Sequence, residues 1–182
     1  FRGQRALLDS HRGYDAGALV MAKEFADTFR APLVVSTTSR LLIDLNRSIG
    51  HRTLFSEATR ATPVETRARI VEEHYRPYRE QVDSIVKHAV SRAQRVVHIS
   101  SHSFTPELDG TVRTADVGLL YDPKRHGEVE VCARWRDSLA ALAPELRVRR
   151  NYPYAGKGDG LTSHLRKRFA ETDYVGIELE IN

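Results

Sequence analysis

Five short runs rich in aliphatic and β-branched residues punctuate the chain: "LVVST" (33–37), "RVVHISS" (95–101), "VGLLY" (117–121), "LRVRRN" (146–151) and "YVGIELEI" (174–181). Segments of helical periodicity separate most of them. Short strands that alternate with helices pack as a largely parallel sheet with helices on its faces, because each helical crossover carries the chain back to the end of the sheet where the previous strand began. Residues 15–30 place Ala18, Ala22, Phe25 and Phe29 at helical spacing, with Asp15 where an N-cap would sit and Pro32 as a stop. From Pro63 to about Arg92 an apolar stripe runs through Val64, Ala68, Val71, Tyr75, Tyr78, Val82, Ile85 and Ala89. Pro77 lies inside that stripe and is predicted to kink or split the helix, since it has no N–H and its ring crowds the preceding turn. Residues 128–142 and 159–170 read as two further helices, and 102–116 as a polar loop with Asp109–Gly110 at a turn. No linker divides the 182 residues, which predicts one α/β domain, a three-layer α/β/α sandwich with a mostly parallel, mixed sheet.

Composition excludes several classes. One cysteine, Cys132, rules out an internal disulfide and any multi-cysteine zinc site. No apolar run reaches the ~20 residues of a membrane span, and "FRGQRALLDS" is no signal peptide, so the expected location is cytoplasmic. The net charge of +4 is scattered over the chain, apart from "RVRRN" (147–151) and "LRKRF" (165–169). Aromatics do not interleave with these spots as a nucleic-acid platform requires. An anionic small molecule is the expected partner, with neither nucleic acid nor membrane.

Three polar groupings carry chemistry. In "GIELEIN", Glu178 and Glu180 stand two apart in an apolar strand and share one face. A carboxylate there is costly unless paired or protonated, which suits a general base whose pKa is raised by burial. His102 follows a strand in "HISSHSFTP", where an imidazole can bind a metal, move a proton or cap a turn; His98, inside the strand, reads as a core histidine, and His11 as a weaker candidate. "SRLLIDLNRS" (39–48) crowds Arg40, Asp44, Asn46 and Arg47 around an apolar spine. If it extends as a strand, Arg40, Leu42, Asp44 and Asn46 share one face and Leu41, Ile43, Leu45 and Arg47 the other. Arg40, Arg47 and Arg113 offer planar forks that match a carboxylate. Asp15 reads as an N-cap or as a carboxylate behind the site.

These motifs, "HRGYDAGAL", "SRLLIDLNRS", "SSHSFTPELDG", "DVGLLYDP", "RRNYPYAGKGDGL" and "GIELEIN", resemble the N-formylglutamate amidohydrolase family, in order and over nearly the whole chain. That family is similar to the zinc carboxypeptidases in fold and site. The resemblance implies cleavage of N-formyl-L-glutamate to formate and glutamate, in histidine catabolism. It implies His102 as a zinc ligand and Glu180 as general base, with Glu178 second to it. It also implies Asn46 and Arg47 as the carboxylate-binding pair, with Arg40 nearby, and Arg113 as a group that holds substrate or polarises its carbonyl; Asp44, read from its residue type alone, would orient an arginine or help position a metal. Family members carry a "CEH"-like motif near a first strand. Nothing like it stands in the chain, so that strand and the further zinc ligands are expected upstream of residue 1. The neighbouring readings are a zinc carboxypeptidase-like peptidase or deacylase on another small anionic amide, and a non-catalytic carboxylate-binding module.

Overall fold

The structure is a computed structural model that describes residues 5–182, opening on a single helical turn, α1 (Arg5–Leu8). Its central sheet has the order β1-β6-β4-β5, with β1 at Val96–Ser103, β4 at Val117–Leu120, β5 at Val148–Arg150 and β6 at Tyr174–Ile181. β1 runs parallel to β6 and β4 parallel to β5, while β4 and β6 are antiparallel, so the sheet is mixed. The 102–116 loop contains a hairpin, β2 (Glu107–Leu108) with β3 (Thr111–Val112). Its turn residues Asp109 and Gly110 have φ of 50° and 75°, the conformation that an Asp-Gly pair adopts most readily.

The two faces of β6 explain the layering. Val175, Ile177 and Leu179 pack with Leu119 beneath α2 (Ala18–Phe29) and α5 (His126–Leu142), through Met21, Phe25, Cys132 and Trp135. On the other face Tyr174 meets Val82 and Val86 of α4 (Arg76–Ser91) and Leu161 and Leu165 of α6 (Leu161–Arg166). The α/β/α layering and mixed sheet are thus as the sequence predicts. Helix α6 is shorter than its sequence pattern: the Leu165 carbonyl takes the amides of both Arg168 and Phe169, which closes the last turn. No helix among the described residues is long and apolar enough to cross a membrane.

Other expectations are corrected. "LVVST" forms no strand: residues 31–39 are irregular, and no backbone–backbone hydrogen bond involves residues 32–38 among the described residues. "SRLLIDLNRS" is not a strand anchored in the sheet but a chain of turns. Ile43, Leu42 and Leu45 instead enter a separate small core with Leu54, Ile70 and Tyr75. Local turns win here because Asp44 caps its own loop: its carboxylate accepts the Asn46 amide (2.9 Å), the pattern by which aspartate outcompetes extended backbone. The predicted break near Pro77 takes a specific form. Helix α3 (Val64–Ile70) passes into a π-helical turn, Val71–Tyr75, before α4 begins with Pro77 in its first turn. The wider turn relieves the clash between the Pro77 ring and the preceding carbonyls.

A buried charge cluster ties three of these elements together. Glu128 of α5 is fully buried. Its carboxylate accepts Nε of Arg166 (2.9 Å) and the amides of Gly176 (3.1 Å) and Asp122 (2.8 Å), with Nε of Arg125 at 3.2 Å.

Candidate active site

Strand β1 runs through His102 and Ser103, two residues beyond its predicted end, and its register sets His102 directly beside Glu180 and Ser100 beside Glu178. Neighbours in a parallel ladder point to the same face, so histidine and glutamate meet at the carboxyl ends of both strands. Asp15 is not the helix cap, because Gly17, with φ of 78°, holds that position. The Asp15 carboxylate accepts Nδ1 of His102 (2.8 Å) and the Arg40 guanidinium. Nε2 of His102 then faces the Ser100 hydroxyl at 3.0 Å. Burial alone would raise the Asp15 pKa, but His102 and Arg40 outweigh it and hold the carboxyl below its ordinary value. Burial alone would lower the His102 pKa; the Asp15 hydrogen bond and the surrounding carboxylates reverse this and raise it.

Glu180 is 6% exposed, and its Oε2 has no hydrogen-bond partner. Burial pushes its carboxyl up to about 7, with His102 opposing and Asp15 and Glu178 adding to the rise. Glu178 differs, because its Oε1 accepts the Thr162 hydroxyl (2.8 Å). Opposite Glu180 stands Gly118 of β4, where a Cβ would meet the Tyr152 carbonyl at 2.2 Å. Only glycine lets the 151–160 loop lie that close to the sheet beside Glu180.

The 44–48 segment is pinned from several sides. Asn46 Oδ1 accepts the Leu161 amide (2.7 Å), which leaves its amide N–H₂ as donor. Gly160 makes room between Asn46 and Glu178; a Cβ there would lie 2.9 Å from Glu178 Oε1 and 3.1 Å from Asn46 Oδ1. Ser48 donates its amide (2.9 Å) and its hydroxyl to the Asp159 carboxylate. Arg47 donates Nη1 to the Asp159 carbonyl (2.6 Å), and its Nε lies 3.7 Å from Asp44. Tyr75, from the π-helical turn, donates to the Arg47 carbonyl (2.7 Å), and Arg79 donates to that of Leu45 (3.2 Å). Tyr75→Phe leaves a half-buried carbonyl without its donor and is expected to lower stability by about 1–2 kcal/mol in urea unfolding. An unchanged midpoint would show that the hydroxyl bond does not fasten this segment.

The Arg113 guanidinium lies over the rings of Tyr154 (5.1 Å) and Phe104 (5.8 Å), the latter just past the end of β1. His98 bonds the Tyr174 hydroxyl (2.8 Å), and burial lowers its pKa to about 4, so it stays neutral as a core histidine does. His11 is exposed. Among the described residues no three His, Cys, Asp or Glu side chains gather as metal ligands, so residues 5–182 do not complete a three-ligand zinc centre by themselves. The Asp15–His102–Ser100 chain was not legible as a unit, because Asp15, in the loop before α2, lies 85 or more residues from the two β1 side chains it joins.

The mixed α/β sheet thus carries a buried histidine–carboxylate pair at its strand ends, where ligands of open α/β sheets bind. The chain belongs to the N-formylglutamate amidohydrolase family, whose model matches residues 2–182; these are hydrolases acting on amide C–N bonds. Its fold is similar to that of gene product Atu2144 from Agrobacterium tumefaciens, with a TM-score of 0.81 and 29% identity, over 97% of this chain and 71% of that one. It is also similar to N-formylglutamate amidohydrolase from Ralstonia eutropha JMP134, with a TM-score of 0.63 and 20% identity, over 81% of this chain. The match spans 62% of that protein's length. A search of curated proteins gives no match.

Proposed function

We propose that this chain carries the base and the carboxylate clamp of an amidohydrolase that cleaves N-formyl-L-glutamate, or a closely similar N-acyl amino acid, into the acid and the free amine. One observation carries the reading: His102 and Glu180 share a register position, with the second Glu180 oxygen buried and unpartnered. A carboxylate in that state is poised to take a proton from water. Water adds to the amide carbon as Glu180 accepts its proton. The C–N bond then breaks as Glu180 returns the proton to the leaving nitrogen, giving formate and glutamate. The substrate's α-carboxylate is bound by the Asn46 amide and the free face of the Arg47 guanidinium, with Arg40 near and Asp44 bracing Arg47. Arg113, outside the pair, holds the distal end of the substrate.

Zinc is part of this reading, with His102 as one ligand. Its Nδ1 is held by Asp15, the usual arrangement behind a metal-bound imidazole. Bound there, zinc would act as a Lewis acid. The other ligands are expected from outside residues 1–182, and no step above runs through the metal.

The clamp is tested by Arg47→Lys, which keeps the charge and loses the fork. For N-formyl-L-glutamate kcat/KM is expected to fall by the value of one charge-assisted hydrogen bond, ~1.5–3 kcal/mol. The analogue with an α-carboxamide lacks the group being clamped and is expected to lose little. Equal losses for both would show that Arg47 supports the fold rather than the substrate.

A further inference from the structure

We propose that Asp159 is a positioning residue for the carboxylate clamp: through Ser48 it sets Asn46 and Arg47 to receive the substrate's α-carboxylate, without touching the substrate itself. The inference rests on the clamp in the reading above and not on the hydrolytic step.

Ser48 and Asp159 are 111 residues apart in sequence, yet the Asp159 carboxylate accepts both the amide (2.9 Å) and the hydroxyl of Ser48. The Asp159 carbonyl accepts Nη1 of Arg47 (2.6 Å), the only hydrogen bond that this guanidinium makes among the described residues. Two residues further on, the Leu161 amide donates to Asn46 Oδ1 (2.7 Å). Each clamp residue is therefore oriented by a backbone group from residues 159–161. Such groups orient a side chain only while the two segments keep their register. Ser48 directly follows Arg47, so the paired bonds to the Asp159 carboxylate fix that register at the clamp itself.

The loop that carries Asp159 is itself tied down. Arg166, bonded to the buried Glu128, donates to the Gly156 carbonyl, and the Ser163 hydroxyl donates to that of Gly158. The Gly156 amide in turn donates to Asn151 Oδ1 (3.0 Å). Burial alone would raise the Asp159 pKa; the Ser48 bonds, with His51 and Arg47, outweigh it and hold the carboxyl below its ordinary value. Asp159 is therefore ionised at neutral pH. A negative charge beside Arg47 opposes the binding of an anion, so electrostatics alone predicts that removing it strengthens binding. Positioning predicts the reverse. A turn no longer held in place offers the clamp for only a fraction of the time, and apparent affinity falls by that fraction.

The test is calorimetric binding to the complete native polypeptide carrying Glu180→Gln, so that the ligand is bound and not turned over. The ligands are N-formyl-L-glutamate and its α-carboxamide. Asp159→Ala is expected to weaken binding of the acid about tenfold and that of the carboxamide less than about twofold. Asp159→Asn is neutral but still takes the Ser48 amide on Oδ1 and donates to its hydroxyl, so it is expected to bind the acid at least as tightly as the parent. Ser48→Ala covers the case in which Asp159→Ala does not fold. It is expected to weaken the acid about threefold, and to add nothing where Asp159 is already alanine. Unchanged or tighter binding of the acid in Asp159→Ala and Ser48→Ala, equal losses for both ligands, or Asp159→Asn as weak as Asp159→Ala would each overturn the proposal. A parent that binds the acid no more tightly than the carboxamide would overturn the clamp, and the proposal with it. Formate release by the unsubstituted polypeptide is measured separately: its absence would sink the hydrolytic reading, while the binding data decide the role of Asp159.

Discussion

Glu180→Gln is expected to reduce turnover of N-formyl-L-glutamate by ~10²–10⁴-fold, the range for loss of a positioned general base. The substitution keeps shape and removes basicity, and the neutral amide fits a site that already disfavours charge. The fold is therefore expected to survive, with an unchanged unfolding midpoint and an unchanged KM within a few-fold. Glu178→Gln is expected to do less, because Glu178 already spends an oxygen on the Thr162 hydroxyl. The two variants assayed side by side separate the roles: a silent Glu180→Gln with a dead Glu178→Gln would reverse the assignment.

The largest stability effect is expected from Glu128→Ala. It removes the carboxylate that faces Arg166 and Arg125 in the interior, whose side chains are 6% and 14% exposed. It also strips the amides of Gly176 and Asp122 of their acceptor. Breaking a buried pair from one side leaves uncompensated charge, which costs about 3–5 kcal/mol. Urea unfolding followed by circular dichroism checks this, and a loss under about 1 kcal/mol would show that water reaches the arginines. Because Arg166 also donates to the Gly176 carbonyl in β6, the strand that carries Glu180 is expected to loosen with it.

How much of this was legible in the sequence depends on what each element needs. β6 was readable to the residue, since "YVGIELEI" is apolar on both faces except at its two glutamates and lies between two paired strands. The break near Pro77 was readable from chemistry, although the π-helical form of the turn was not. "LVVST" has every local mark of a strand and is none in residues 5–182, because a strand exists only with a partner and propensity cannot supply one. "RLLIDLN" misled through its alternation, where the Asx turn at Asp44 and a small core around Ile43 decide the conformation. In the site, residue types that bear chemistry were visible singly. Their arrangement was not: that Asp15 bridges Arg40 and His102, and that Asp159 holds Ser48 and Arg47, are long-range contacts without a local signal.

The reaction proposed for this site is hydrolysis of the formyl amide of an acidic N-formyl amino acid. Proton NMR of the complete native polypeptide incubated with N-formyl-L-glutamate tests it directly, with Glu180→Gln as reference. Formate and glutamate are expected to appear in equal amounts, at a rate about a hundredfold or more above the variant. Formate release no faster than in Glu180→Gln would contradict it.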